Sequence, residues 1–104
     1  MAIRFWLLPL TIILISPMTI RVPFEMRVVD DQTGIGIPNL RVITEDGNVC
    51  HTLGGGSCYW WRSSLMNRNV RFQIFDESNQ FTSLNATLTV RHGGRTTVAL
   101  HRRT

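Results

Sequence analysis

No lysine occurs in the sequence, cysteine occurs only twice, and beyond the first twenty residues no apolar pattern recurs with helical period. The missing helical period argues against a helical bundle and leaves alternating, strand-like segments as the material of the fold. Two cysteines with no histidine at zinc spacing argue against a structural zinc site. No serine or cysteine stands in a nucleophile signature, and His51, His92 and His101 fall on a strand, a turn and the tail, so no catalytic set, cofactor or metal is expected. All eleven basic residues are arginine against seven acids, a formal charge of +4; Arg4 and Arg21 lie in or beside the N-terminal apolar run and leave the remainder near +2. The local cluster Arg91, His92, Arg95, His101, Arg102 and Arg103 has no interleaved aromatics, which reads as a solvated sheet end and a basic tail, and no nucleic-acid partner is expected.

What is present divides the chain in two. Residues 1–22 hold Arg4 and then an apolar run from Phe5 to Ile20, the form of a secretory signal. The run is shorter than the roughly 20 residues of a spanning helix, and Pro9 and Pro17 oppose a continuous one. Ser16-Pro17-Met18 offers no small-x-small cleavage site, so a signal peptide and an uncleaved signal anchor both stand, the latter attaching the protein to a membrane. Residues 23–104, about 80 residues, form a domain of a size at which folding alone is marginal. Export and an even cysteine count favour a Cys50–Cys58 disulfide, which would place the domain outside the cytoplasm: secreted, periplasmic or on the cell surface.

Seven short strands follow. The chain is organised around Met26 to Thr44, in which a strand to Val29 runs into Asp30-Asp31-Gln32-Thr33-Gly34, side chains that bond their own backbone followed by a glycine, and restarts after Pro38 as an edge strand with Leu40 and Val42 on one face. The two strands need not pair, since so long a connection can pass between sheets. Asp46-Gly47 predicts a hairpin joining Asn39–Thr44 to Val49–Leu53. Gly54-Gly55-Gly56 predicts a second hairpin; with its loop centred on Gly54, Cys50 faces Cys58, close enough for a cross-strand disulfide of about 2 to 3 kcal/mol, the alternative being two buried thiols. Arg62–Asn67 reads as an irregular crossing plugged by Leu65 and Met66. Val70, Phe72 and Ile74 share a face, Asp76–Gln80 is a polar loop, Leu84, Ala86, Leu88 and Val90 point inward, and Arg91-His92-Gly93-Gly94 predicts a third hairpin into Arg95–His101. Short strands at this spacing predict an all-β sandwich.

Val28-Val29-Asp30-Asp31-Gln32-Thr33-Gly34, Ile37-Pro38, Val42, Thr52 and Gly56 resemble the opening of the carboxypeptidase regulatory-like domain. Ser64 to Phe72 and Gly93 to Val98 resemble a variant of it in exported bacterial proteins of unassigned function. The resemblance implies a transthyretin-like (prealbumin-like) seven-stranded Greek-key β-sandwich acting as a non-catalytic accessory module. Leu53 stands after Thr52 where the family usually has aspartate. The one enzymatic relative, a hydroxyisourate hydrolase, ends in Tyr-Arg-Gly-Ser, a motif absent here.

Among candidate site residues the aromatic trio is the most informative. On a strand Tyr59 and Trp61 share one face while Trp60 takes the other with Cys58, so one tryptophan must find cover or stay exposed. Exposed, it can stack on a sugar or anchor a protein partner. Asp30, Asp31, Asp76 and Glu77 could meet at one end of the sandwich but match no calcium-loop spacing. Asn85-Ala86-Thr87 is a glycosylation acceptor, with Asn85 pointing outward. Two roles compete: an extracytoplasmic interaction or scaffold module with an unidentified protein partner, and a carbohydrate-binding module that takes a cell-surface glycan on Trp60 and Trp61.

Overall fold

A computed structural model describes residues 22–103; the expected signal segment therefore lies outside the described residues except for Val22. Seven strands form: β1 (Phe24–Asp30), β2 (Arg41–Thr44), β3 (Val49–His51), β4 (Ser57–Trp60), β5 (Arg68–Phe75), β6 (Leu84–Val90) and β7 (Arg95–Leu100), with one turn of 3₁₀ helix at Ser63–Leu65. They make two sheets, β4-β1-β7 and β3-β2-β5-β6, arranged as a sandwich. The long connection after β1 does change sheets, as the spacing allowed.

The core is the set of inward positions that alternation dictates. Met26 and Val28 on β1, Val42 on β2, Cys58 on β4, Val70, Phe72 and Ile74 on β5 and Val90 on β6 are fully buried, as are Leu40 just ahead of β2 and Leu65 in the 3₁₀ turn. Trp60 packs on Phe72 with ring centroids 5.4 Å apart and planes tilted by 55°. Its indole Nε1 is buried without an acceptor among the described residues. Leu65 and Met66 plug the crossing as expected.

The Asp46-Gly47 hairpin forms as expected, with Val42 paired to Cys50, and Gly47 takes the left-handed conformation at φ 90°. Two other expected hairpins do not form. Around Gly54-Gly55-Gly56 the chain makes only a tight turn, in which the Leu53 amide donates to the Ser57 carbonyl and the Gly56 amide to the Leu53 carbonyl; β4 then pairs antiparallel with β1, matching Phe24 with Trp60 and Met26 with Cys58. The cause is a contact distant in sequence: the Val28 amide donates to the Gly56 carbonyl at 2.8 Å and draws the chain onto the other sheet. Cys50 and Cys58 are bonded, but the bond joins the two sheets rather than neighbouring strands, with Cα atoms 6.2 Å apart.

The Arg91–Gly94 turn is likewise a crossing. Gly94 accepts the Glu25 amide at 2.9 Å, and β7 runs parallel to β1 instead of back along β6. Leu84, Ala86 and Leu88 do face inward, yet remain partly exposed because β6 is an edge strand and β7 lies in the other sheet. Pro38 starts no edge strand: Asn39 sits in the left-handed region at φ 60°, and β2 begins at Arg41 as an interior strand.

Candidate functional site

The motif residues of the first turn are joined by hydrogen bonds that alternation does not reveal. Asp30 accepts the Gln32 amide at 2.8 Å, and its backbone closes the turn on Gly34 and Ile35. Thr52 is buried and secures the far side of the loop, accepting the Leu40 amide at 2.8 Å while its hydroxyl donates to the Ile37 carbonyl at 2.7 Å. Gly36 bridges to Val29 directly against the Gly55–Gly56 backbone. Asp30, Thr52 and Gly56 are thus one device that fixes residues 30–40 against the end of the sandwich.

That end holds a cavity of about 320 Å³ between this loop and the Asp76–Phe81 turn. Arg102 lines it, its guanidinium lying 4.7 Å over the Phe81 ring and 3.2 Å from the nearly buried Asp30 carboxylate. Asp76 organises the opposite turn, its Oδ1 accepting from the Ser78 amide and hydroxyl and its Oδ2 from the amides of Gln80 and Phe81. Asp30 and Asp76 do meet at one end, but among the described residues no three histidine, cysteine or acidic side chains converge as a metal would require.

The Gln32 amide holds the Asp30 carboxyl below its ordinary pKa, with Arg102 adding to the effect. Burial pushes Asp76 up, but the hydrogen bonds from Ser78, Gln80 and Phe81 outweigh it and the net direction is down. Groups depressed on folding contribute stability that is complete above the unfolded pKa of about 3.9 and is lost as pH falls through the folded values. The urea midpoint should therefore stay level down to about pH 4 and drop below it, and Asp76→Asn should flatten the drop. An Asp76→Asn protein that follows the wild-type acid profile would contradict this.

The aromatic trio is split between core and surface, as alternation required. Trp60 lies in the core, so the expected Trp60–Trp61 ligand pair does not exist as a surface; Tyr59 and Trp61 are 42% and 56% exposed. Tyr59 points outward from β4 and Trp61 follows directly after that strand's last residue, so the two exposed rings stand two positions apart along the chain at this edge of the three-stranded sheet. Beside them Glu25, opposite Tyr59, accepts from Ser57 Oγ at 3.1 Å and from Arg95 Nε at 3.0 Å. Arg27 donates to the Gly55 carbonyl. This side of the sheet thus carries two exposed aromatic rings, one carboxylate and two guanidinium groups.

No family model and no curated protein matches this chain. The basic cluster of the sequence divides between the two ends of β7. Arg91, His92 and Arg95 lie at its start, where His92 Nδ1 sits 3.0 Å from the Val22 carbonyl. At its finish His101 pairs with Asp31 at 2.9 Å, Arg102 with Asp30, and Arg103 donates to the Phe81 carbonyl. Asn85 is exposed on β6 and paired with Gln73. Sequence reasoning missed the Asp30–Arg102–Phe81 arrangement; the available signal was an Arg two residues past a strand beside an Asp-led turn.

Proposed function

We propose that the chain is a non-catalytic extracytoplasmic interaction module of the carboxypeptidase regulatory-like, transthyretin-like kind, with Greek-key connections, exported by its N-terminal segment. The observation that carries the interaction role is the outer face of the three-stranded sheet, where Tyr59 and Trp61 stand exposed next to the Glu25–Arg95 ion pair. Exposed aromatic rings beside arginine are the side chains that dominate protein interfaces, because they bury large rigid areas at small entropic cost. The disulfide agrees with an oxidising compartment. The family assignment draws support from the Asp30, Thr52 and Gly56 device, which gives the motif residues a common structural task.

The same two rings favour a second role, binding a cell-surface glycan, now on Tyr59 and Trp61 rather than on Trp60 and Trp61. The test uses a photo-crosslinking phenylalanine analogue at position 59, exposed to an envelope fraction, alongside a fluorescence titration with a polysaccharide panel. The expected result is a discrete crosslinked protein that disappears in Trp61→Ser, with no saturable change of emission. A saturable glycan response abolished by Trp61→Ser in a folded protein would transfer the function to carbohydrate binding. Absence of both signals would remove this face as a functional surface.

A further inference from the structure

We infer that the cavity at the Asp30 end of the sandwich captures the C-terminal carboxylate of a partner polypeptide whose last side chain is apolar. This deepens the protein-interaction role and rests on it. The volume of about 320 Å³ is at the small end of ligand sites, room for a terminal residue rather than for a cofactor. Its apolar lining comes from Ile35, Ile37, Pro38 and Phe81, and Ile35 is 67% exposed, free to be covered by the last side chain.

The polar lining is nearly all committed. Both Asp76 oxygens are taken by four donors, Asp30 by Gln32 and Arg102, and Thr33 Oγ1 already accepts the Ile35 amide. Arg102 is the charged exception, the exposed Gln80 side chain the neutral one. Its guanidinium has five N–H donors; one nitrogen, Nη2, is bonded to Asp30, and no other protein acceptor among the described residues takes the rest. Stacking on Phe81 and pairing with Asp30 hold the fork in place before any ligand arrives, which lowers the ordering cost of binding. A fixed fork of N–H groups matches a carboxylate through two parallel hydrogen bonds.

Charge narrows the class further. Arg102 is set against two carboxylates in the cavity lining, Asp30 and Asp76, so every added negative charge is repelled by the lining as a whole: a monoanion meets this once and sets it against the bidentate pair it gains, whereas a dianion meets it twice. Phosphate and dicarboxylates are disfavoured. A chain terminus is a monoanion, and its apolar last side chain gives the Ile35–Pro38 wall something to cover.

The test is a titration of the isotope-labelled protein, followed by amide and arginine side-chain resonances. The probes are an N-acetylated tetrapeptide ending in valine, the same peptide as its C-terminal amide, isovalerate, and inorganic phosphate. The free-carboxylate peptide should shift Ile35, Gly36, Ile37, Phe81 and the Arg102 side chain saturably, and the amide should bind at least tenfold more weakly. Arg102→Lys keeps the charge facing Asp30 but loses the fork, and should also cost at least tenfold. Should that variant fail to fold, Ile35→Ser, an exposed position, should weaken the valine-ended peptide about fivefold and leave a glycine-ended one unchanged. Equal binding of acid and amide, isovalerate as tight as the peptide, effective competition by phosphate, or shifts away from this end would each overturn the proposal. A partner crosslinked at position 59, with these resonances unmoved by peptide, would end this inference while leaving the interaction role in place.

Discussion

Replacing Gly56 with alanine should cost about 4 kcal/mol or more, enough to unfold a marginal domain of this size. Gly56 lies at φ +85°, and a Cβ there would stand 2.3 Å from the Val28 carbonyl oxygen and 2.8 Å from both the Gly36 Cα and the Ile37 nitrogen. All three neighbours are backbone atoms of β1 and its turn, so none can move aside as a flexible side chain would. Relief requires pulling the turn off β1, which breaks the bond from the Val28 amide to Gly56 and exposes the core beneath it. The adjacent glycines provide the control. Gly54 and Gly55 have open space at the Cβ position, and neither needs the left-handed conformation. Alanine at either should be neutral, or should stabilise by about 0.5 kcal/mol through a less flexible unfolded chain. Gly47→Ala, left-handed but unobstructed, should fall between at about 1 to 2 kcal/mol. Urea midpoints of the four variants test the order; a Gly56→Ala protein within about 1 kcal/mol of the wild type would contradict the backbone contact.

This order also marks how far the sequence could be read. Three consecutive glycines announce a turn, yet only the third is obligatory, and what makes it so is contact with residues nineteen to twenty-eight positions earlier. Strand positions and faces were legible because alternation is a local property: Val70, Phe72 and Ile74 are all buried, and Cys58 and Trp60 go inward while Tyr59 and Trp61 go outward. Strand partners were legible only at the Asp46-Gly47 hairpin, because elsewhere the same turn residues serve a hairpin and a sheet-to-sheet corner. The choice is made by distant backbone groups, Gly56 bonding to Val28 and Gly94 to Glu25. The outward aromatic face was therefore half visible in advance, whereas the Asp30–Arg102 pair, separated by 72 positions, was not. The cysteine pairing was foreseen through a hairpin that does not exist; the partners are right because a short corner brings the ends of the two edge strands together as closely as a hairpin would.

Removing that bond should destabilise the domain by about 2.5 kcal/mol, the chain-entropy value for so short a closed loop. The bond spans eight positions and links β3 to β4, the edge strands of the two sheets. The inter-sheet placement predicts more than a smaller midpoint. β3 is only three residues long, exposes Val49 and His51, and pairs with β2 alone. Without the covalent link little holds it to the core, and it should open locally before the rest unfolds. In the Cys50→Ala/Cys58→Ala protein, amide exchange should therefore quicken most at β3 and at the Leu53–Ser57 corner. The β5–β6 ladder, seven paired positions on the far side, should keep its protection relative to global stability. Cys58 is fully buried and Cys50 only partly, so two alanines also forfeit some packing and the measured loss should lie at or above the entropic figure. Reduction of the wild type separates the two contributions, since it keeps both sulfur atoms. Reduced and oxidised forms of equal stability, or exchange that quickens uniformly across both sheets, would show that this bond is not what ties the edges of the sandwich together.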